Sequence, residues 1–554
     1  MRVADGIVRV LEKLRTNLVF GIPGSQTCPL YDAFYSSSAR HVLVRHEQMA
    51  AYMADAYAKF TGKLGVCDGT AGPGAANLVT GIATAWTDNS PVIAFTGQQP
   101  SAQLGKGAFQ ELDHVAIFSP ITKWSTRLLE PERTVETIKE AYRIATWGRP
   151  GPVHVDLPLD VQAQLCREDP QLLEKLPIDL VPRKPSGDLV LIRQATRILC
   201  ESSRPLIIAG GGVHYSGRAW KPLRALAELL EVPVATTFNG RGSFPEDHPL
   251  SAGRMGMHAR SYNDRMLSGA DVVLAVGCRF ASMSTRQWRN MNPYAALVHV
   301  DIDPQAIGRN YSARIGIVGD AGKVLEKLLA EARLQPIGKE SRGDWLKYLR
   351  EAKESWESSF WWNQTVSEEV PLKPQRVCCD LRRFLPRDTV FTLDAGNNKL
   401  WASTFIDIYE PYTWIQSGCF GPMGYALPAA IACKLASPKR LVTAICGDGG
   451  FYMSLHELAT AVQERASVLV CILDDKALGT IKHHQRSFYS GRFISVDFRN
   501  PNFVKVAEAF GCCGLEAEKP SQVESAIEEG LRAVKGGQPA VIDFHIDGQE
   551  PLPP

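Results

Sequence analysis

The sequence predicts an α/β protein of three doubly wound parallel-sheet domains, and three observations carry that expectation. Short β-branched runs alternate with helical stretches along almost all of the 554 residues, which is the rhythm of parallel strands joined by crossover helices. That length is roughly three or four times an ordinary domain and too long for a single core. Two breaks in the periodicity divide the chain. Between Asp160 and Leu189, Pro170, Pro177, Pro182 and Pro185 gather among charges, as in an exposed connection. From Leu334 to Pro374 runs a charged stretch with Trp345, Trp356, Trp361 and Trp362, read as one or two helices lying against a neighbour. The expected domains are residues 1–162, 189–333 and 375–547.

In chain order, MRVADGIVRVLEKLRTNLVF reads as an amphipathic helix without the apolar core and cleavage site of a secretory signal, so a cytoplasmic location is expected. Composition agrees with a soluble globular chain: 45% apolar and 22% charged residues exclude disordered, collagen-like and coiled-coil classes. Lysine plus arginine less aspartate plus glutamate is 61 − 59 = +2, with no long run of one sign, so neither nucleic acid nor a membrane surface is an expected partner. The most apolar run, Val468 to Leu473, has the length of a buried strand and is far too short to span a bilayer. Thirteen cysteines without a CxxC pair read as buried free thiols, and twelve scattered histidines show no zinc spacing. The closing GQEPLPP is expected to be a loose end.

The middle segment runs from strand PLIIA through Gly210, Gly211 and Gly212 to the helix WKPLRALAELL, then to strands DVVLAVG and ALVHVDID. This rhythm is Rossmann-like. Tyr215 stands where the third glycine of GxGxxG belongs, which leaves open a purely structural domain and one that binds a dinucleotide.

The outer segments look like copies of one plan, each with a strand that runs into glycines and then a helix: GVCDGTAGPGAANLVTGIATAW at 65–86 and AICGDGGFYMSLHELATAV at 444–462. Glycine lets a ligand approach the backbone, and a helix N-terminus favours phosphate. In the later copy a helix and the strand VLVCIL lead from Asp448 to Asp475, an interval of 475 − 448 = 27 residues. One helix and one strand return the chain to the same sheet edge, so two carboxylates would face the glycine turn. Such a pair suits Mg²⁺ bridging to a diphosphate.

GDG with that interval and a polar pair at its end, together with RHEQMAAYMADAYAKFTGK and GTAGPGAANLVTGIATAW, resembles the thiamine-diphosphate (ThDP) enzymes in their acetolactate synthase-like branch. VFGIPGS, AFQELD, RPGPVHVDLP, FPEDHPLSAGRMGMH, VDIDP and GPMGYALPAAI match in the same order, so the resemblance covers nearly the whole chain. It implies a homodimer or homotetramer in which ThDP lies across a subunit interface, its pyrimidine on one first domain and its diphosphate and metal on another's third. Glu47 would be the carboxylate that activates the cofactor from beside the pyrimidine nitrogen, with Gly24 and Gln110 as further catalytic positions. The cofactor would also touch Gly396, Asn397, Asn398, Gly421, Met423, Gly447, Gly449, Gly450, Leu478 and Gly479, with Met423 wedged between its rings. Mg²⁺ would be held at Asp448, Asp475 and Ala477. Ser25, Gln26, Phe109, Thr480, Ile481 and His484 would line the substrate pocket.

Several positions depart from that family pattern. Asp475 replaces an asparagine, Leu159 a lysine, and His484 a tryptophan that contacts the second keto acid; in the stretch Arg279, Phe280, Ala281, Ser282, Met283, the acidic pair and arginine that the family carries after the phenylalanine, and that are associated with flavin, are replaced by Ala281, Ser282 and Met283. The resemblance therefore implies a ThDP- and Mg²⁺-dependent carboligase or lyase. It acts on a 2-keto acid donor with an aldehyde or keto acid acceptor, and FAD is expected to be dispensable. A decarboxylase, a 2-hydroxyacyl lyase and a flavin-dependent oxidase are the rivals within the class. Outside it stand a nicotinamide-linked dehydrogenase, which lacks its GxGxxG, and a non-catalytic relative, which would have no need of Glu47 and Asp448.

Overall fold

The computed structural model describes residues 1–166, 184–338 and 342–553. The greater part of the proline-rich connection, residues 167–183, lies outside the described residues. Three six-stranded sheets, flanked by helices, carry the fold, and every strand pairing in them is parallel. Most strands are short and wholly buried, as a parallel sheet covered on both faces requires.

The first sheet comprises β1 (Leu18–Gly21), β2 (Arg40–Leu43), β3 (Gly65–Gly69), β4 (Val92–Gln98), β5 (Ser125–Arg127) and β6 (Val153–Pro158) in the order β2-β1-β3-β4-β6-β5. The second comprises β7 (Pro205–Ala209), β8 (Val234–Thr236), β9 (Ser251–Arg254), β10 (Val272–Val276), β11 (Ala296–Asp301) and β12 (Ile315–Val318). Its order, β12-β11-β10-β7-β8-β9, reverses at β7 and β10 as in a Rossmann sheet. The third comprises β13 (Val390–Leu393), β14 (Trp414–Gln416), β15 (Val442–Gly447), β16 (Leu469–Asp474), β17 (Cys513–Ala517) and β18 (Ala540–His545) in the order β14-β13-β15-β16-β18-β17. Strand for strand this repeats the first sheet, so the likeness of the two glycine motifs extends to topology.

By packing, the chain forms two compact units. One gathers the first sheet with Phe420–Lys439 and Ser454–Val468. In it the helix Ala426–Ala436 packs on the helix Glu47–Thr61, and buried Tyr425 donates through its hydroxyl to Asp55 Oδ2 over 2.6 Å. Lys59 ion-pairs with both Asp55 and Asp88, at 2.7 and 2.9 Å, which compensates two fully buried carboxylates. The other unit holds the second and third sheets. In that unit the tryptophan-bearing stretch forms the helices Gly343–Glu357 and Phe360–Asn363; Trp345 and Trp356 are buried, and Trp345 Nε1 donates to the Pro205 carbonyl.

The structure corrects two readings of the ends. The first helix spans only Val3–Lys13: Arg15 turns at φ 58°, and the apolar residues that follow are strand β1, wholly buried in the sheet. The C-terminal stretch is pinned, not loose. Glu550, 4% exposed, meets Lys373 Nζ at 3.0 Å and Gln375 Nε2 at 2.7 Å, and the Pro553 carbonyl accepts from His258 Nδ1 at 2.6 Å. Proline cannot continue a strand or helix, but its carbonyl still accepts. None of the thirteen cysteines is in a disulfide, and most of them are buried.

Candidate active site

In the first unit, the carboxyl ends of β1 to β4 carry the residues of interest. Glu47 opens the helix Glu47–Thr61, whose N-cap His46 accepts from Gln48 N through Nδ1. Glu47 is 9% exposed, and its Oε2 accepts from Asn77 Nδ2 at 2.9 Å. Asn77 projects from the helix Pro73–Asp88, where Gly74 leaves room: a Cβ there would stand 3.3 Å from Glu47 Oε1. Gly24 lies in the turn after β1, and a Cβ on it would meet Thr70 Oγ1 at 2.2 Å, so only glycine lets the turns after β1 and β3 close on each other. Thr70 in turn donates to Gln26 Oε1 at 2.8 Å; Gln26 is buried and Ser25 exposed.

Phe109 and Gln110 sit on the loop after β4. Gln110 takes φ 61° and its backbone packs against Gly72, while Phe109 is 81% exposed and its carbonyl accepts from Gln99 Nε2. Buried His114 anchors the end of this loop, accepting from Gly72 N at 3.1 Å on one nitrogen and lying 2.8 Å from Asp156 on the other. Gly421 and Met423 also belong to this unit. Gly421 turns at φ 66°, Met423 is half-buried, and its carbonyl lies 3.4 Å from the Tyr52 hydroxyl. The structure thus joins Glu47 to Asn77, Gln26 to Thr70 and Gln110 to Gly72, and leaves Phe109 and Ser25 at the surface of the unit.

In the second unit, Gly447 closes β15 and Asp448 opens the helix Asp448–Tyr452 with Gly449 and Gly450. Asp448 is 1% exposed; its Oδ2 accepts from Asn500 Nδ2 at 2.8 Å, and the same Nδ2 lies 2.7 Å from Asp474 Oδ1. Asp475 follows β16, its Oδ1 accepting from Ala477 N at 3.2 Å. A Cβ on Gly479 would stand 2.1 Å from Asp475 Oδ2 and 3.0 Å from Asn397 Nδ2, so these three residues share one confined space. Burial pushes Asp448 up to about 8, with repulsion from Asp475 and Asp474 adding to it; burial, then Asp474, pushes Asp475 up to about 6. Among the described residues no lysine or arginine forms an ion pair with either carboxylate, although Lys482, paired with Asp497, attracts Asp475 from farther off. Buried negative charge that is only partly offset is what a divalent cation would relieve.

Around those carboxylates lie the helix N-termini at Asn397, Asp448 and Gly479. Gly396, at φ 121°, opens the first of them. Asn398 turns inward, donating to the Asp394 and Ile445 carbonyls, with its Oδ1 beside Gly396 and Gly447. Asn397 accepts from Thr480 Oγ1 at 2.7 Å. Leu478 N donates to the Val496 carbonyl and fixes the turn before the helix Gly479–Phe488, on which Ile481 and His484 are exposed. Sequence reasoning missed Asn77 and Asn500. Asn77 lies inside a quoted motif; Asn500 carries no local signal, being 500 − 474 = 26 residues past its partner.

Two sheets of one topology, the first presenting a buried, amide-held carboxylate and the third a buried carboxylate group without an ion-pair partner among glycine-opened helix N-termini, suit an enzyme that holds an anionic, phosphate-bearing cofactor. Comparison with known proteins names the class. Residues 1–117 match the N-terminal thiamine pyrophosphate binding domain, 192–328 the central domain and 394–544 the C-terminal thiamine pyrophosphate binding domain of thiamine pyrophosphate enzymes. The chain belongs to this family, and ThDP is its cofactor. Its relatives include a probable acetolactate synthase large subunit of Methanocaldococcus jannaschii, 41% identical over the whole of this chain and 93% of the relative. The acetolactate synthase large subunit of Corynebacterium glutamicum is 38% identical, over 99% and 87% of the two chains. Acetolactate synthase isozyme 3 large subunit of Escherichia coli is 36% identical, over 100% and 96%. Among the described residues no helix is long and apolar enough to cross a membrane.

Proposed function

We propose that the chain is an acetolactate synthase-like carboligase that decarboxylates a 2-keto acid and joins the remaining fragment to a second carbonyl compound. The observation that carries this reading is the buried Glu47 carboxylate, fixed by Asn77 at the opening of its helix, in a chain similar over its full length to acetolactate synthases. Bound ThDP supplies a carbon nucleophile and an electron sink for the carboxylate that leaves. Glu47 would hold a proton at the pyrimidine ring nitrogen; Asn77 anchors one oxygen, so the other keeps its direction. Its burial keeps water from competing for that hydrogen bond.

Asp448 and Asp475, with the backbone at Ala477, would hold Mg²⁺, and the helix N-termini at Asn397, Asp448 and Gly479 would donate backbone N–H groups to the diphosphate. Met423 would support the bent cofactor, and Gly24, Ser25, Gln26, Phe109, Gln110, Thr480, Ile481 and His484 would surround the reacting carbon. The two half-sites imply a homodimer or homotetramer as the working species, with a keto acid donor and a keto acid or aldehyde acceptor as its partners. Flavin is not needed for this chemistry. The deciding experiment is incubation with ThDP, Mg²⁺ and a panel of 2-keto acids and aldehydes, with carbon dioxide and products followed by mass spectrometry. No carbon dioxide from any 2-keto acid would overturn the reading.

A further inference from the structure

The third sheet brings together three side chains that no function above employs. In the parallel pairing of β16 with β18, Asp474 stands opposite His545, and Ile472 opposite Asp543. The two-residue period of a strand puts Asp543 and His545 on one face of β18. One ligand atom from each of Asp474, Asp543 and His545 lies within 4.8 Å of the other two.

We propose that Asp474, Asp543 and His545 form a cation site of their own, separate from the Asp448–Asp475 pair, for a divalent ion of the zinc class. Asp543 is 4% exposed, yet its Oδ1 accepts no hydrogen bond among the described residues, and its Oδ2 lies 3.4 Å from His545 Nε2. A buried carboxylate oxygen without a donor is costly, and the Asp543 carboxylate that carries it belongs to a cluster with a second carboxylate and an imidazole. Outer contacts are in place as well. The hydrogen bonds that the Asp474 carboxylate accepts among the described residues, from Asn500 Nδ2 at 2.7 Å and Lys476 N at 2.9 Å, fall on Oδ1. On the far side of the imidazole, Glu518 Oε1 lies 3.8 Å from His545 Nδ1, the kind of carboxylate that orients a metal-binding histidine.

The donor set decides the ion. Mg²⁺ and Ca²⁺ prefer oxygen throughout, whereas two carboxylates and one imidazole, with a position open to water, suit Zn²⁺. His545 keeps 26% of its side chain exposed, which gives an ion a way in. The bland alternative is an ion pair between a protonated His545 and Asp543, and it needs no metal.

The test uses the full chain loaded with ThDP and excess Mg²⁺, so that the diphosphate centre is filled. Zn²⁺ retained after gel filtration is counted by elemental analysis, and Co²⁺ serves as a visible-absorbing substitute. We expect one Zn²⁺ per chain and a Co²⁺ spectrum with imidazole character. His545→Ala and the near-isosteric Asp543→Asn should each weaken binding at least about tenfold, while Asp448→Asn leaves it unchanged. Circular dichroism confirms that each variant is folded, and Asp543→Asn decides if His545→Ala is not. Zn²⁺ retention equal in wild type, His545→Ala and Asp543→Asn, or abolished by Asp448→Asn, would overturn the proposal.

Discussion

Asn77 Nδ2 donates to Glu47 Oε2 over 2.9 Å, tying the first residue of one helix to the first turns of the next. Neither position is remarkable alone, since an acidic first-turn residue and a mid-helix asparagine are common. Their contact makes the carboxylate a fixed acceptor. Replacing Glu47 with glutamine keeps the shape and removes the charge. We expect turnover to fall by about 10² to 10⁴, the range for losing one acid–base group, with ThDP affinity and the unfolding midpoint little changed. Steady-state assays with a ThDP titration check this, and an unaltered turnover number would remove Glu47 from the chemistry.

Chelation probes the other half-site. Asp448, Asp474 and Asp475 put three carboxylates within mutual repulsion, and a diphosphate brings further negative charge. ThDP retention should therefore depend strongly on a divalent cation, with the cofactor lost on EDTA treatment and gel filtration. Asp475→Ala should weaken metal-supported ThDP binding. Equal ThDP affinity with and without metal would sink the ligand assignment.

The same carboxylates give a pH dependence whose sign is set by their upward shifts. Asp448 is pushed from 3.8 to about 8 and Asp475 to about 6. Between the unfolded and folded values the native state binds more protons than the unfolded chain, so metal-free protein loses stability as pH rises through that window. Asp448→Asn removes the larger share. In EDTA the variant should gain on wild type between pH 5 and pH 8 in chemical denaturation. A stability difference that stays flat across that range would show that Asp448 is not the strained group.

Much of this arrangement is legible in the chain because glycine turns and strand runs are local signals. The turn at Gly447–Gly450 and the excursion from Asp448 to Asp475 follow from a helix and a strand of ordinary length. What stays hidden is which strands become neighbours. Asp474 meets His545 only because β18 is inserted next to β16, ahead of β17 in space though behind it in sequence, and no periodicity encodes that order. Histidine spacing therefore gives no hint of the cluster with Asp543. The end of the first helix is a case of tertiary burial winning: Leu18 to Phe20 continue an apolar pattern but are taken into the sheet as β1. Glu550 is held by Lys373 and Gln375, partners about 175 residues away, which local composition cannot show.

Flavin content offers a further check. The stretch Arg279 to Met283 has no acidic side chain, and Phe280 within it is buried against His299 and Tyr311 at ring distances of 5.2 and 5.1 Å. Polar contacts for an isoalloxazine ring are therefore scarce there. We expect the purified protein to be colourless and its turnover unchanged by added FAD. A yellow protein with stoichiometric flavin after gel filtration, read by absorbance, would reverse this.

The last prediction concerns the acceptor. Leu159, at the start of a short helix after β6, offers no positive charge where a second keto acid would present its carboxylate. On the helix Gly479–Phe488, Thr480 is turned to Asn397, Ile481 is 47% exposed, and the exposed His484 has its ring 5.8 Å from that of Phe488. An imidazole in place of a broad indole opens volume and adds a donor or acceptor, while loss of a cation weakens the pull on a carboxylate. Both effects favour an uncharged acceptor. With pyruvate alone acetolactate should form slowly, and an added aldehyde should be joined faster. His484→Trp should move the ratio back toward the keto acid, by a factor of about 10 if the wall contributes about 1.4 kcal/mol of discrimination. Competition assays with both acceptors present, products resolved by mass spectrometry, measure the ratio directly. If pyruvate alone gives acetolactate with kcat/KM of about 10⁴ M⁻¹s⁻¹ or more and aldehydes add nothing, these positions do not select the acceptor.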